Sequence, residues 1–537
     1  MPASAITTAD SVLDAADVRR LDAWTIEHGT PGIELMERAG RCIADFLLDP
    51  HDHGPAVRLD ALGDGQRLLV LAGPGNNGGD GFVVARMLAE EGYAVAVALA
   101  SKAPRDGGDA ANNLERWAAS GGEVVDRAQA LAWLGADGER DFDAVLDAVF
   151  GTGLDRAVDQ EHAELFAALA DTDLPTVSVD VPSGLDADRG EALGRAVVAD
   201  HTVTLGAAKP GLFLANGPDH CGRVAVADIG LAWPEDAGLV PRGAVLTAAR
   251  CQSMVSRRKP STHKGTRGHL LCIGGSPGKS GAIAMTARAA LRAGAGLVTV
   301  ACPAAMTGSV DGALAESMTF PLPSDRNGTL GPDAWAAINE RASEFDAVVV
   351  GPGLGRGEHV WLLLRDLLSQ FDGPLVADAD AINTLVQHSL RAMVGRRRAR
   401  ELADVIFTPH PGEMARMCGK SPADVQADRL GTALEFCESH PSTLVLKGAA
   451  TIVTDGESVA FNTSGNPGMA SAGMGDALAG IIGANLAAGI EPIEAAELAV
   501  FVHGLAADLL YQDFGGPGFL ASEVADRVPS ALNLLAT

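Results

Sequence analysis

Short apolar runs bounded by glycine alternate with helix-like segments along nearly the whole chain, and the alternation lapses once near the middle before it restarts. Segments 68–72, 93–99, 144–149, 176–181 and 201–205 form the first series; 269–273, 297–301, 347–350, 374–377, 405–408 and 443–446 form the second. Strands separated by helix-length connections pair in parallel, because a parallel neighbour is reached only through a crossover. Between the series, Trp233-Pro234-Glu235-Asp236-Ala237-Gly238 and the residues after it follow neither period, so 232–243 is read as a linker. A chain of 537 residues also exceeds what one core usually holds. The expectation is an α/β protein with two domains, 1–235 and 236–537. Residues 10–48 read as helix, 475–510 as a pair of buried helices, and Arg396-Arg397-Arg398 as a solvated loop.

The formal charge of −28 excludes a general positive field for nucleic acid or an anionic membrane. Anionic ligands must instead be held by local amides, lysines and helix ends. Seven cysteines lie scattered without a C-x-x-C pair, an odd number that fits a reducing compartment. Acidic Asp10, Asp14 and Asp17 replace any basic-then-apolar leader pattern, so a cytoplasmic protein without membrane spans is expected.

Two glycine-rich stretches stand where anions are held. Gly73-Pro74-Gly75-Asn76-Asn77-Gly78 satisfies G-x-G-x-x-G after one predicted strand and before a helix at 82–90, a context that suits pyrophosphate at a helix start. The second strand of that unit runs into Ser101-Lys102 instead of an acid for a ribose hydroxyl, which disfavours an ordinary NAD-dependent dehydrogenase. Lys102 is read as solvated in preference to a 2′-phosphate contact. Asn77, Asp147, Asp180 and Ser183 follow predicted strands, where they are either caps and turn residues or ligands converging on the crevice at the strands' carboxyl ends. Farther on, Gly473-Met474-Gly475-Asp476 opens an apolar helix. There a carboxylate can take the proton of an attacking hydroxyl while amides stabilise a transferred phosphate. A capping role that favours the helix dipole is the alternative.

The first half resembles the NAD(P)H-hydrate epimerase family through Leu35-Met36-Glu37-Arg38-Ala39-Gly40, the glycine loop to Gly81, Asp147-Ala148-Val149-Phe150-Gly151-Thr152-Gly153-Leu154, Val179-Asp180-Val181-Pro182-Ser183-Gly184, and Lys209-Pro210-Gly211. The resemblance implies a Rossmann-like three-layer αβα domain. It also implies a potassium ion on Asn77, Asp147 and Ser183, oxygen donors that suit a hard cation. Substrate contacts would come from Asn76, Asn77, Gly78, Gly79, Asp80, Gly151, Thr152, Gly153, Leu154, Asp155, Arg156, Ala157 and Asp180. Inverting a hydroxyl-bearing carbon by loss and re-addition of water needs a proton carrier, for which Asp180 is the candidate with Lys209 as partner.

The second half is similar to the ribokinase-like superfamily and, within it, to ADP/ATP-dependent NAD(P)H-hydrate dehydratases. The matching residues are His263-Lys264-Gly265, Gly274-Gly275-Ser276, Gly351-Pro352-Gly353-Leu354-Gly355, Asp378-Ala379-Asp380-Ala381, Thr408-Pro409-His410-Pro411-Gly412-Glu413, Lys447-Gly448 and the Gly473 stretch. A ribokinase-like αβα domain is implied, with Ala282, Gly353, His410 and catalytic Asp476 on the hydrated dinucleotide. Lys447, Gly448, Ala449, Ala450, Thr451 and Gly475 would hold ADP or ATP, with Glu413 organising Mg2+ through water. Lys279 departs from the uncharged residue usual there. The resemblances together imply a bifunctional metabolite-repair enzyme, an isomerase and lyase acting on hydrated NADH and NADPH, cytoplasmic and homo-oligomeric, with no nucleic-acid or membrane partner. The rival reading is a small-alcohol kinase of the thiamine-precursor type fused to a non-catalytic nucleotide- or RNA-binding module.

Overall fold

The computed structural model describes residues 10–48, 66–135, 142–232, 238–255, 260–261, 263–388 and 390–536. The chain divides into two compact units, Met1–Val245 and Leu246–Thr537. The division falls ten residues after the boundary drawn from the sequence, and 233–237 of the proposed linker lie outside the described residues.

In the first unit seven strands form one parallel sheet: β1 (Arg67–Ala72), β2 (Ala94–Leu99), β3 (Glu123–Val125), β4 (Ala144–Ala148), β5 (Thr176–Val179), β6 (His201–Leu205) and β7 (Arg223–Ala227). Their order is β3-β2-β1-β4-β5-β6-β7, so the connections reverse direction between β1 and β4. In an open parallel sheet that reversal leaves a crevice beyond the strands' carboxyl ends. Central strands are buried throughout: Leu68, Leu69, Val70 and Leu71 are fully inaccessible, as continuous apolar runs covered on both faces should be. β3 and β7 escaped the sequence reading because Glu123 and Arg223 begin edge strands that are largely half-exposed or exposed, with no long apolar run. The helical stretch 10–48 is two helices, Ala15–Glu27 and Gly32–Leu48, parted where Gly29 takes φ +115° ahead of Pro31.

In the second unit the strands are β8 (His269–Ile273), β9 (Leu297–Pro303), β10 (Met318–Leu322), β11 (Ala347–Val350), β12 (Leu375–Ala377), β13 (Val405–Phe407), β14 (Thr443–Leu446), β15 (Ile452–Thr454) and β16 (Val459–Asn462). They run β16-β15-β14-β13-β12-β11-β8-β9-β10, parallel from β14 to β10 and antiparallel at β15 and β16. Here the reversal lies between β8 and β11. Helices Met474–Ala487 and Pro492–Phe514 are the buried pair expected, apolar on nearly every face.

The arginine run is not a solvated loop. It ends the helix Leu390–Ala399, and Arg397 is buried, donating to the carbonyls of Leu368, Phe371, Gly373 and Ala403. Four carbonyl acceptors satisfy a guanidinium that no sequence pattern distinguishes from its two neighbours.

Candidate active sites

In the first unit the glycine loop leaves β1 and enters the helix Asn76–Glu90 at the strand reversal. Two of its glycines are steric necessities: a Cβ on Gly73 would lie 2.0 Å from the Val149 carbonyl oxygen, and one on Gly78 would lie 1.9 Å from that of Gly73. The loop therefore lies flat on the end of β4, and a cleft of about 520 Å³ opens above it. Asn76, Asn77, Asp80, Gly151, Thr152, Gly153, Leu154, Asp155, Arg156, Asp180 and Lys209 line the cleft, as the sequence reading grouped them. Gly78 and Gly79 sit buried behind it, and Ala157 is exposed and outside it.

Asp180 ends β5 in a left-handed conformation, φ +67°, that non-glycine residues rarely take without a compensating environment. That environment is visible. Its Oδ1 accepts from the Leu205 amide at 3.2 Å and the Thr204 hydroxyl at 3.4 Å, and also from Lys209 Nζ. Fully buried Lys209 donates in addition to Thr204 Oγ1 at 3.1 Å and to the Leu205 carbonyl at 2.9 Å. All three ammonium hydrogens are thereby engaged. Asp180 Oδ2 is left facing Gly151, 3.3 Å from the point a Cβ there would occupy. Asp80, also buried, has its carboxyl held well above the usual range by burial and then by Asp180 and Asp22, with Lys209 opposing.

Below the cleft, Asp147 is inaccessible and accepts from Ser178 Oγ at 2.8 Å, Ser183 N at 2.8 Å, Ser183 Oγ at 2.6 Å and Val149 N at 3.3 Å. Burial raises its carboxyl despite these donors, and among the described residues no cationic side chain pairs with it. Asn77 Nδ2 is buried without a partner. Asp147 and Ser183 thus touch each other but do not line the cleft.

In the second unit, Asp378 and Asp380 carry the assembly, two residues to which the sequence reading gave no role. Asp378, past the end of β12, binds the Thr408 hydroxyl at 2.7 Å and Lys447 Nζ at 2.9 Å, joining the ends of β12, β13 and β14. Ala379 then takes φ +49° and turns the chain between the two acids. Asp380 accepts from Gly355 N at 2.9 Å and pairs with Lys279 at 3.1 Å and Arg356 at 3.4 Å, tying together the loops after β8 and β11. Two acids separated by one residue thereby organise both halves of the crevice. Gly353 belongs there too: with φ +61°, its Cβ would fall 2.4 Å from the Lys279 carbonyl and 3.2 Å from Ala282 Cβ.

Asp476 lies in the first turn of Met474–Ala487, and Lys447 Nζ sits 3.0 Å from the point a Cβ on Gly475 would take. Burial, then Asp378, raises the Asp476 carboxyl to about 7, with Lys447 pulling the other way. Burial lowers Lys447, but Asp378, Glu413 and Asp476 outweigh it and leave the ammonium raised. His410 caps the helix Pro411–Cys418, its Nδ1 accepting from Gly412 N at 3.0 Å, while Glu413 returns a bond to His410 N at 3.0 Å. The side chain stays 53% exposed, so the capping role leaves an edge of the ring accessible. Sequence reasoning also missed Arg429: buried, it donates to the carbonyls of Leu446, Lys447 and Ala449, shaping the stretch from Lys447 to Thr451 from beneath. Nothing in a lone arginine at a helix start signals that task.

Two family models match the chain: residues 32–211 fit the YjeF-related protein N-terminus and 270–530 the NAD(P)H-hydrate dehydratase model. A bifunctional NAD(P)H-hydrate repair enzyme of Moorella thermoacetica is 38% identical over 535 residues, covering 98% of this chain and 97% of the relative. One from Escherichia coli is 35% identical, covering 99% and 96%. A solved ADP/ATP-dependent NAD(P)H-hydrate dehydratase from Bacillus subtilis aligns with 54% of this chain and 98% of its own, at 26% identity and TM-score 0.45.

Proposed function

The chain belongs to the bifunctional NAD(P)H-hydrate repair enzymes, and from that premise we propose that its first unit interconverts the R and S epimers of hydrated NADH and NADPH while its second dehydrates the S epimer with hydrolysis of ADP or ATP. The observation that carries this reading is one carboxylate centre in each compact unit, Asp180 past the end of β5 and Asp476 in the first turn of Met474–Ala487 beside Lys447. The rival pairing of a small-alcohol kinase with a non-catalytic module is not favoured, because relatives named bifunctional NAD(P)H-hydrate repair enzymes match 98% and 99% of the chain.

In the first unit, Asp180 relays a proton from Lys209 to the departing hydroxyl and passes one back when water adds to the opposite face of the ring. Lys209 acts through Asp180, since its three hydrogens are already engaged. Asp80, whose carboxyl is raised first by burial and then by Asp180 and Asp22, adds a second carboxyl to the cleft. Asn77, Asp147 and Ser183 fit a potassium ion: the donors are oxygens and the buried Asp147 charge is met only by neutral groups. Bound there, the ion would supply a fixed positive charge beside Asp180.

In the second unit, Asp476 takes the proton from the substrate hydroxyl as it attacks the terminal phosphate. The amides at the helix start and Lys447 face the developing charge. Phosphate then leaves and the dihydronicotinamide is restored. Mg2+ would arrive with the nucleotide, held mainly by phosphates and water with Glu413 nearby, since no cluster of three or more acidic, histidine or cysteine ligands occurs among the described residues. The same reading places the enzyme in the cytoplasm as a homo-oligomer acting on small molecules. Seven free cysteines suit a reducing compartment, the charge of −28 suits small-molecule ligands in preference to nucleic acid, and no described helix is long and apolar enough to cross a membrane.

The test supplies separated R and S hydrates to the full chain. Epimer exchange without nucleotide and return of NADH absorbance from S with ADP or ATP are expected; absence of either removes that half of the reading.

A further inference from the structure

We propose that Lys102 and Arg105 form a subsite for the 2′-phosphate of hydrated NADPH, making the first unit prefer that substrate to hydrated NADH. This inference rests on the epimerase reading above. A side cavity of about 300 Å³ adjoins the cleft and shares Pro74, Gly75, Asn76 and Asp109 with it, so a dinucleotide lying on the glycine loop reaches both. The remainder of its wall comes from the segment after β2 and includes both cations. The end of the second strand is where a doubly wound sheet meets the adenosine ribose: an acid there binds the 2′-hydroxyl, and a cation accommodates a 2′-phosphate. This chain carries no acid at that turn, reading Ser101-Lys102-Ala103-Pro104-Arg105.

Charge strengthens the case. Acidic residues outnumber lysine and arginine 69 to 41, yet among the described residues neither Lys102 nor Arg105 forms an ion pair, although Asp106 and Asp109 are close in sequence. Asp109 shares the cavity wall, but its Oδ2 lies 2.5 Å from the point a Cβ on Gly32 would take, and Gly32 lines the main cleft only. Both cations are exposed at the rim, so they meet a dianionic phosphate without first being stripped of a partner. Pro104 is buried between them and limits the freedom of the turn that carries them.

The test measures epimer exchange of hydrated NADPH and hydrated NADH by the full-length protein, by K102A, R105A and K102A/R105A, and by the charge-keeping K102R. The unaltered enzyme should show the lower KM for hydrated NADPH. The double variant should raise that KM about tenfold, with kcat unchanged and less than a twofold effect on hydrated NADH, and K102R should keep the preference. The KM for hydrated NADPH should also climb more steeply with salt than that for hydrated NADH. Equal losses on both substrates would place the cations on the shared diphosphate and overturn the assignment. Unchanged KM values overturn it as well, while persisting exchange in every protein leaves the epimerase reading intact. No exchange of either hydrate by the unaltered enzyme overturns that reading and this inference together.

Discussion

The two units place a carboxylate at the same kind of position, beside the crevice where a parallel sheet reverses its connections, and then treat it in opposite ways. Asp180 has its own lysine: Lys209 is buried, bonded to it directly and held by two further acceptors. Asp476 has a lysine nearby, but Lys447 is taken by Asp378 at 2.9 Å, and Asp378 adds its own repulsion. The first carboxylate is therefore fixed in direction by a partner. The second is raised to about 7 by burial and then by Asp378, and can gain or lose a proton close to neutral pH. A carboxylate at the end of a strand is thus oriented by its own lysine in one unit, and one at the start of a helix is left poised in the other, where burial raises it and the neighbouring lysine faces a different acid.

The largest effect is expected from Asp476→Asn, which should lower nucleotide-dependent dehydration by about 10³-fold or more while R-to-S exchange continues. Loss of both activities in a folded protein would break the separation between the units. The same variant has a stability signature. Asp476 holds its proton up to about pH 7 in the fold but only to about 3.8 when unfolded, so the wild type loses stability as pH rises between those values. The asparagine variant lacks that loss and should melt higher than wild type at pH 8 and equally at pH 3 in calorimetric scans.

Asp180→Asn should cut epimer exchange by roughly 10²-fold and leave dehydration of the S form unchanged, because Lys209 would face an amide that cannot relay a proton. Exchange at the wild-type rate would remove Asp180 from the chemistry. A smaller change is expected from Arg429→Lys, which keeps the charge but cannot reach three carbonyls at once: nucleotide KM should rise by about tenfold with kcat little altered. A loss confined to kcat would contradict its role beneath the nucleotide loop.

The smallest and sharpest test is Asp378→Asn. It removes the strongest like charge on Asp476 and frees Lys447 to approach it, so the acid limb of the dehydration profile, centred near pH 7, should move down by about one unit. An unmoved limb would mean that burial alone sets the value.

How much was legible in the sequence differs between strands and sites. Leu68, Val70 and their neighbours announce a buried central strand because both faces need apolar cover, whereas Glu123–Val125 hides because one side of an edge strand meets water. Asn77, Asp147 and Ser183 were readable as strand-end residues, but that Asp147 and Ser183 bond each other beneath the cleft was not, since thirty-six residues of chain separate them.

By itself the sequence determined the periods, and with them two mainly parallel sheets, the glycines that let a loop lie on a neighbouring strand, and acids at the starts of helices. These are local properties, set by side-chain size and by which faces of an element must leave water. Only the tertiary structure decided which lysine meets which acid, that Asp378 claims Lys447 while Asp180 keeps Lys209, and that Lys102 and Arg105 wall a cavity beside the first cleft. Electrostatic partnership depends on distance and on exclusion of water, and both arise only when residues far apart in the chain are packed together.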